Sequence, residues 1–383
     1  MTAGRPDEKE NGDNLRRRKI TSRPPITFYS PDLIIALINS ATPPTLAPAT
    51  IPVSVTMSSL DSPVGSVPVA SKKISLNRAA HVFYTHVNFS GQRQFLLDFG
   101  MIIAQETADR IYFRGYGTQP FVYCLMRGPS DTFGGAAFVV DSLTDLKLAT
   151  QLPSATAIYD LDSPGGGKGV TFYDPIDNFP FHLVYGQKLV ENTDTFTELE
   201  YNFPATKHRA VNHTQRFQKG PSLIHKLGHF GLCVTDFASA YTFYTTHFNL
   251  KASDLVYDPQ TGRDTTCFFH LDRGLEQVDH HSFFIFEGPK FHVHHSSFEV
   301  HDFDVQILGH DWLREKQWEN CWGVGRHVMG SQIFDYWFDS SKFILEHYID
   351  GDLVDERTPT NRSKAEPGNL HIWGPDLPPT FMQ

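Results

Sequence analysis

Cysteine is scarce and unpatterned. Cys124, Cys233, Cys267 and Cys321 lie far apart with no C-x-x-C spacing. That excludes a disulfide scaffold and a zinc ribbon, and it fits thiols kept reduced in the cytoplasm. No run of about 18 apolar residues occurs, so no membrane-spanning helix is predicted. Positive charge is in deficit, with 33 Lys and Arg against 43 Asp and Glu and a formal net charge of −10. Such a chain lacks the basic face of a general nucleic-acid binder. Aromatic residues, by contrast, are plentiful: 31 Phe and 14 Tyr suit packed sheets. Histidine is concentrated. Of 19 in the chain, 13 fall between His225 and His347, which directs the search for metal or proton chemistry to the later half.

A length of 383 residues accommodates two or three domains. Residues 1–72 read as a disordered leader. They are first charged, with the basic cluster Arg16-Arg17-Arg18-Lys19, then rich in Pro, Thr and Ala; neither part buries enough surface to offset the entropy of ordering. Met57 offers an alternative translation start. Beyond the leader the chain repeats itself. "AAHVFYTHVNFSGQRQFLLDFGM" (79–101) matches "LGHFGLCVTDFASAYTFYTTHFNL" (227–250), with Phe89 and Phe237, then Phe95 and Phe243, at equal offsets from an initial His. "GGAAFVVDSLTDL" (134–146) matches "HHSSFEVHDFDVQ" (294–306), and "FYDPIDNFPFHLVYG" (172–186) matches "YWFDSSKFILEHYIDG" (336–351). The expectation is an internal duplication: one copy over 73–190, a linker over 191–221, a second copy over 222–355 and a Pro-rich tail over 356–383. The fold class is α+β. Each copy comprises two βαβββ modules whose curved, partly closed sheets enclose a cavity, with helices outside.

The stretch "KFHVHHSSFEV" (290–300) alternates like a strand. Alternation sends His295, Ser297 and Glu299 to one face and His294, Phe298 and Val300 to the other. The expectation is that His294 packs under the helix layer and His295 faces the cavity. His229, on the equivalent strand one module earlier, and Glu346, on an apolar strand where an unpartnered carboxylate is costly, complete a set of two imidazoles and one carboxylate. Such a set leaves three positions of a metal open and suits iron or manganese.

At these residues the chain resembles the type I extradiol ring-cleaving dioxygenases of the vicinal oxygen chelate superfamily, from about His81 to Gly351. "GVGRHVMGSQIFDYWFDSSKFILEHY" (323–348) places His327 nine residues before Tyr336 and Tyr336 ten before Glu346, as that family does. "LGHF" supplies His229, the second His of a pair supplies His295, and "VDHHSFFIFE" places His281 fourteen residues ahead of it. The wording is nearest the trihydroxytoluene oxygenase and metapyrocatechase branch. Gly330 departs from the pattern, because many members carry Asp there. The resemblance implies His229, His295 and Glu346 as ligands of one Fe(II), with Mn(II) as the alternative. It implies a catechol-type substrate and O₂ as partners, and a homo-oligomer. It further implies His281 as acid/base near O₂, His327 against the ionised diol oxygen and Tyr336 as a hydrogen-bond donor. His280 is expected to point away from His281. The first copy offers His81, Gly135 and His182 at the ligand positions, and Gly cannot coordinate, so that half reads as scaffold. Two other functions suit the same scaffold: a glyoxalase-like isomerase, with a more carboxylate-rich set, and a non-catalytic aromatic-binding protein, which would have lost its ligands.

Overall fold

The computed structural model describes residues 72–193 and 199–381. Apart from Lys72, the expected leader and the Met57 start lie outside the described residues.

Four modules follow one another. The first holds β1 (Leu76–His86), α1 (Phe89–Asp98), β2 (Ile102–Glu106), β3 (Arg110–Arg114) and β4 (Tyr123–Arg127). The second holds β5 (Thr132–Val140), α2 (Leu143–Ala149), β6 (Tyr159–Asp160), β7 (Lys168–Tyr173) and β8 (Pro180–Tyr185). The third holds β9 (Ile224–Val234), α3 (Phe237–His247), β10 (Leu250–Tyr257), β11 (Asp264–Leu271), the short β12 (Val278–Asp279) and β13 (Phe283–Glu287). The fourth holds β14 (His292–Val300), α4 (Phe303–Glu315), β15 (Asn320–His327), β16 (Ile333–Phe338) and β17 (Ile344–Ile349). Each helix starts because a polar residue caps it. Asn88, Ser142, Asp236 and Asp302 accept from the backbone N–H of Gly91, Asp145, Ser239 and Val305, contacts worth about 1 kcal/mol apiece.

The strands form two open sheets. One runs β2-β3-β4-β1-β5-β8-β7-β6. Three more strands, β18 (Leu353–Val354), β19 (Asn361–Lys364) and β20 (His371–Trp373), come from the chain after β17. With two of them the second sheet runs β19-β10-β11-β13-β9-β14-β17-β16-β15-β20, while β18 pairs with β12. The residues expected as a tail therefore extend both edges of the second sheet. The described residues of 191–221 contain no helix or strand, and none of the described helices is long and apolar enough to cross a membrane.

Strand register repeats between the copies. In β1 against β5, His81 faces Ala137 and Phe83 faces Gly135; in β9 against β14, His229 faces Ser297 and Gly231 faces His295. Likewise Ala137 pairs with His182 and Ser297 with Glu346. His81, Gly135 and His182 thus sit where the later copy has His229, His295 and Glu346. In the first copy those places are filled for packing. His81 stacks on Phe121 at 3.9 Å between centroids. His182 Nε2 donates to the Gly134 carbonyl at 2.9 Å, and its Nδ1 lies 2.8 Å from Thr171 Oγ1. Gly135 has φ +104°, where only Gly is at ease, and a Cβ there would run into the Pro180 carbonyl.

One apolar core joins the copies, drawing Phe138, Phe172 and Phe181 from the first and Phe230, Tyr244 and Phe283 from the second. Polar contacts pin it. Tyr84 and Ser296 hydroxyls lie 2.8 Å apart, and buried His347, stacked on Phe99, donates Nε2–H to the Phe99 carbonyl at 2.7 Å. Alternation then gives β13 two roles: Phe283 and Ile285 enter the shared core, whereas Phe284 and Phe286 cluster with Cys233 and Phe268 on the other face.

Candidate metal centre

Three strands converge on that other face. His229 lies at the middle of β9 rather than at its start, His295 lies in β14 and Glu346 in β17. His229 Nε2 is 3.1 Å from His295 Nε2; from Glu346 Oε2 these atoms are 3.3 and 3.4 Å away, respectively. Among the described residues this is the one group of His, Cys, Asp or Glu with ligand atoms gathered this closely. Donors about 2.1 Å from a common ion are separated by about 3.0 Å at right angles and about 3.4 Å at tetrahedral angles, so the three side chains suit one face of a single ion. The electrostatics agree. Glu346 is fully buried and neither carboxylate oxygen has a hydrogen-bond partner. Burial works to raise its carboxyl, but the two imidazoles hold it well below the usual carboxylate range. A buried anion held in this state is what a divalent cation neutralises.

Around the three lie the other residues singled out from the sequence. His327, the last residue of β15, donates Nδ1–H to the Leu370 carbonyl at 2.7 Å, so its Nε2 accepts from the Tyr336 hydroxyl at 2.8 Å. That Nε2 is also 3.9 Å from Glu346 Oε1. Burial pushes the His327 imidazole down to about 4. Tyr336, in β16, lies edge-on to His295 at 5.0 Å and parallel to Trp322 at 5.8 Å. His281 packs on His229 with centroids 4.1 Å apart; burial first, then His229, holds its imidazole well below 6.5.

Two expectations from alternation fail. His294 does not pack under the helix layer. The ladder between β9 and β14 has a bulge between Val293 and His295, and a bulge suspends the period of two. His294 therefore shares the face of His295. It contacts Phe284, Phe286 and Phe381, its Nδ1 is 2.8 Å from His295 Nδ1, and its Nε2 donates to the Phe381 carbonyl at 2.7 Å. Nor does His280 point away from His281, since their Nδ1 atoms are 3.1 Å apart. Both residues fall in the bend between β12 and β13, outside any strand, so alternation does not apply. Sequence reasoning missed Phe381 as well, which is buried against Trp322 and Tyr336. The doubled histidines were the available signal for His280 and His294; the carbonyl of Phe381 had none.

Comparison with known proteins now places this geometry. The family model described as "Glyoxalase/Bleomycin resistance protein/Dioxygenase superfamily" matches residues 226–340, a span holding His229 and His295 and ending before Glu346. The match is confined to that span, about a third of the chain. The fold is shared with solved extradiol dioxygenases. The chain is 28% identical over 221 residues to metapyrocatechase 2 of Cupriavidus necator, a match covering 57% of this chain and 64% of that relative. Among solved structures it is similar to homoprotocatechuate 2,3-dioxygenase of Brevibacterium fuscum in complex with 3,4-dihydroxyphenylacetate, with TM-score 0.68, 18% identity and coverage of 82% and 93%. It is also similar to the Mn(II)-bound glyoxalase of Novosphingobium aromaticivorans, with TM-score 0.66, 22% identity and coverage of 80% and 94%.

Proposed function

We propose that the protein cleaves a catechol-type aromatic diol beside its hydroxyl-bearing carbons, using O₂ at one non-haem Fe(II), with Mn(II) as the alternative ion. The observation that carries this is the buried triad: two imidazole nitrogens and one carboxylate oxygen, 3.1–3.4 Å from one another, with both Glu346 oxygens lacking a hydrogen-bond partner. His229, His295 and Glu346 would hold the ion. When bound, it supplies Lewis acidity for an ionised diol and a shared meeting point for diol and O₂.

The remaining work falls to the chain's own side chains. Kept neutral by burial and by His229, His281 can take a proton from the diol and return it to oxygen. His327, committed as an acceptor at Nε2, fixes the direction of the Tyr336 hydroxyl, which can turn to donate to a substrate oxygen. The apolar rings of Phe268, Phe284 and Phe286 cluster together, with Phe284 against His229 and His295, and disfavour water there. In this proposal residues 222–355 are the catalytic domain, and residues 73–190 support it without a metal of their own. The metapyrocatechase relative and the dioxygenase bound to 3,4-dihydroxyphenylacetate support a catechol as substrate.

Aerobic incubation of Fe(II)-reconstituted protein with substituted catechols tests it. Oxygen uptake with a yellow hydroxymuconic semialdehyde or acid is expected. Conversion of a glyoxalase substrate without oxygen uptake would favour an isomerase, and saturable catechol binding without turnover a binding protein.

A further inference from the structure

His281 is not alone in its pocket. Asp254, in β10, accepts from His280 Nε2–H at 2.8 Å with Oδ2 and from Asn361 Nδ2–H at 2.6 Å with Oδ1. His280 is itself clamped at the backbone: its N–H donates to the Asp352 carbonyl at 2.9 Å, and its carbonyl accepts from Ser253 Oγ at 2.6 Å. Its other ring nitrogen, Nδ1, lies 3.1 Å from His281 Nδ1. Both imidazoles and the carboxylate are buried. The space beside them exists because residue 330 is Gly. At φ +79°, which disfavours side chains, a Cβ there would stand 3.0 Å from His280 Nδ1 and 3.5 Å from His281 Cε1, so the His280 ring would have to shift to admit one.

We propose that Asp254 and His280 act as a positioning pair that fixes the tautomer and orientation of His281. This rests on the acid/base role proposed above for His281. The logic follows from hydrogen-bond capacity. With Asp254 Oδ2 accepting from His280 Nε2–H, a ring that carries this one proton offers Nδ1 as an acceptor. Only a protonated His281 Nδ1 can satisfy that acceptor. His281 is thereby left with a bare Nε2 on the other side of its ring, the arrangement of a base that receives the first proton. A carboxylate on β10 thus acts on His281 through a second imidazole.

The test uses the full chain with ¹⁵N-labelled histidine. Two-bond ¹H–¹⁵N correlation spectra of the metal-free protein report which nitrogen carries the proton. The expected result is His281 protonated at Nδ1 and bare at Nε2; a proton on Nε2 overturns the proposal. His280→Phe should let the Nε2–H form become the major one and lower kcat about 10- to 100-fold, with KM and metal content within about twofold of wild type. His280→Asn, whose Oδ1 can take the place of Nδ1 as acceptor, should restore the Nδ1–H form and bring kcat to within about threefold. Wild-type kcat and an unchanged spectrum in His280→Phe also overturn it. The wild-type spectrum decides the tautomer without reference to turnover. Failure of the ring-cleavage proposal would appear separately, as no oxygen uptake by wild type with any substituted catechol, and undiminished turnover in His281→Phe would remove the acid/base role of His281.

Discussion

Replacing Glu346 by Gln should lower stability without metal and remove the further gain that metal brings. In the metal-free chain the carboxylate is fully buried, and neither oxygen has a hydrogen-bond partner. Its relief comes only from two imidazoles 3.3 and 3.4 Å away. Those imidazoles hold its carboxyl well below the usual range, so folding favours the charged form, and removing one partner of such a buried set is destabilising. The exchange should therefore destabilise the metal-free protein by about 1–3 kcal/mol, a fall in Tm of several degrees at about 2 °C per kcal/mol. With an ion at 100 times its Kd, wild type gains about 2.7 kcal/mol, or about 5 °C by the same conversion. The variant, without its anionic donor, should show no gain and no bound metal after desalting. Thermal unfolding with and without Mn(II), alongside elemental analysis, measures both. Wild-type metal content with the same Tm gain would refute the ligand set. A metal-free variant melting at or above wild type would show that the imidazoles do not stabilise the buried carboxylate.

His281→Phe should keep metal content within about twofold and lower ring-opening turnover at least about 100-fold, measured on iron-loaded protein. Asp339→Asn should alter the pH dependence of stability. Burial pushes Asp339 up to about 7 from 3.8, so between these values the folded chain keeps a proton that the unfolded chain has released, and stability falls as pH rises through that window. The variant lacks this loss. Its stability relative to wild type should climb by about 2–3 kcal/mol between pH 5 and pH 8 in urea titrations, and a constant difference would contradict the cause given. Gly231→Ala should cost about 1–3 kcal/mol, because a Cβ there overlaps the Phe284 ring; an unchanged denaturation midpoint would count against it.

The duplication was legible because it lies in local order: strand, cap, helix, strand, with aromatic residues at fixed offsets. The register pairs of the two copies fall on the same residues that the sequence alignment matched, from His81 and His229 to His182 and Glu346. Period-two alternation put His295 on the face that also carries His229 and Glu346. It misplaced His294 because a bulge removes one residue from the count and leaves no mark in composition. It misplaced His280 because alternation governs strands, and His280 lies in a bend. The later strands β19 and β20 have four and three residues, too few to show a period, and their partners lie far away in sequence. Asp254 gave no signal at all, since an acidic residue in a strand looks exposed until its two donors are seen.

The difference between the two halves is written partly in the main chain. At the position matching His295, Gly135 adopts a backbone conformation that disfavours side chains, with the Pro180 carbonyl pressed against it. Installing histidine there would require the neighbouring strand to retreat, so no single substitution can equip the first half to bind an ion. An engineer seeking two centres in one molecule would have to transplant a whole module, strand pairing included.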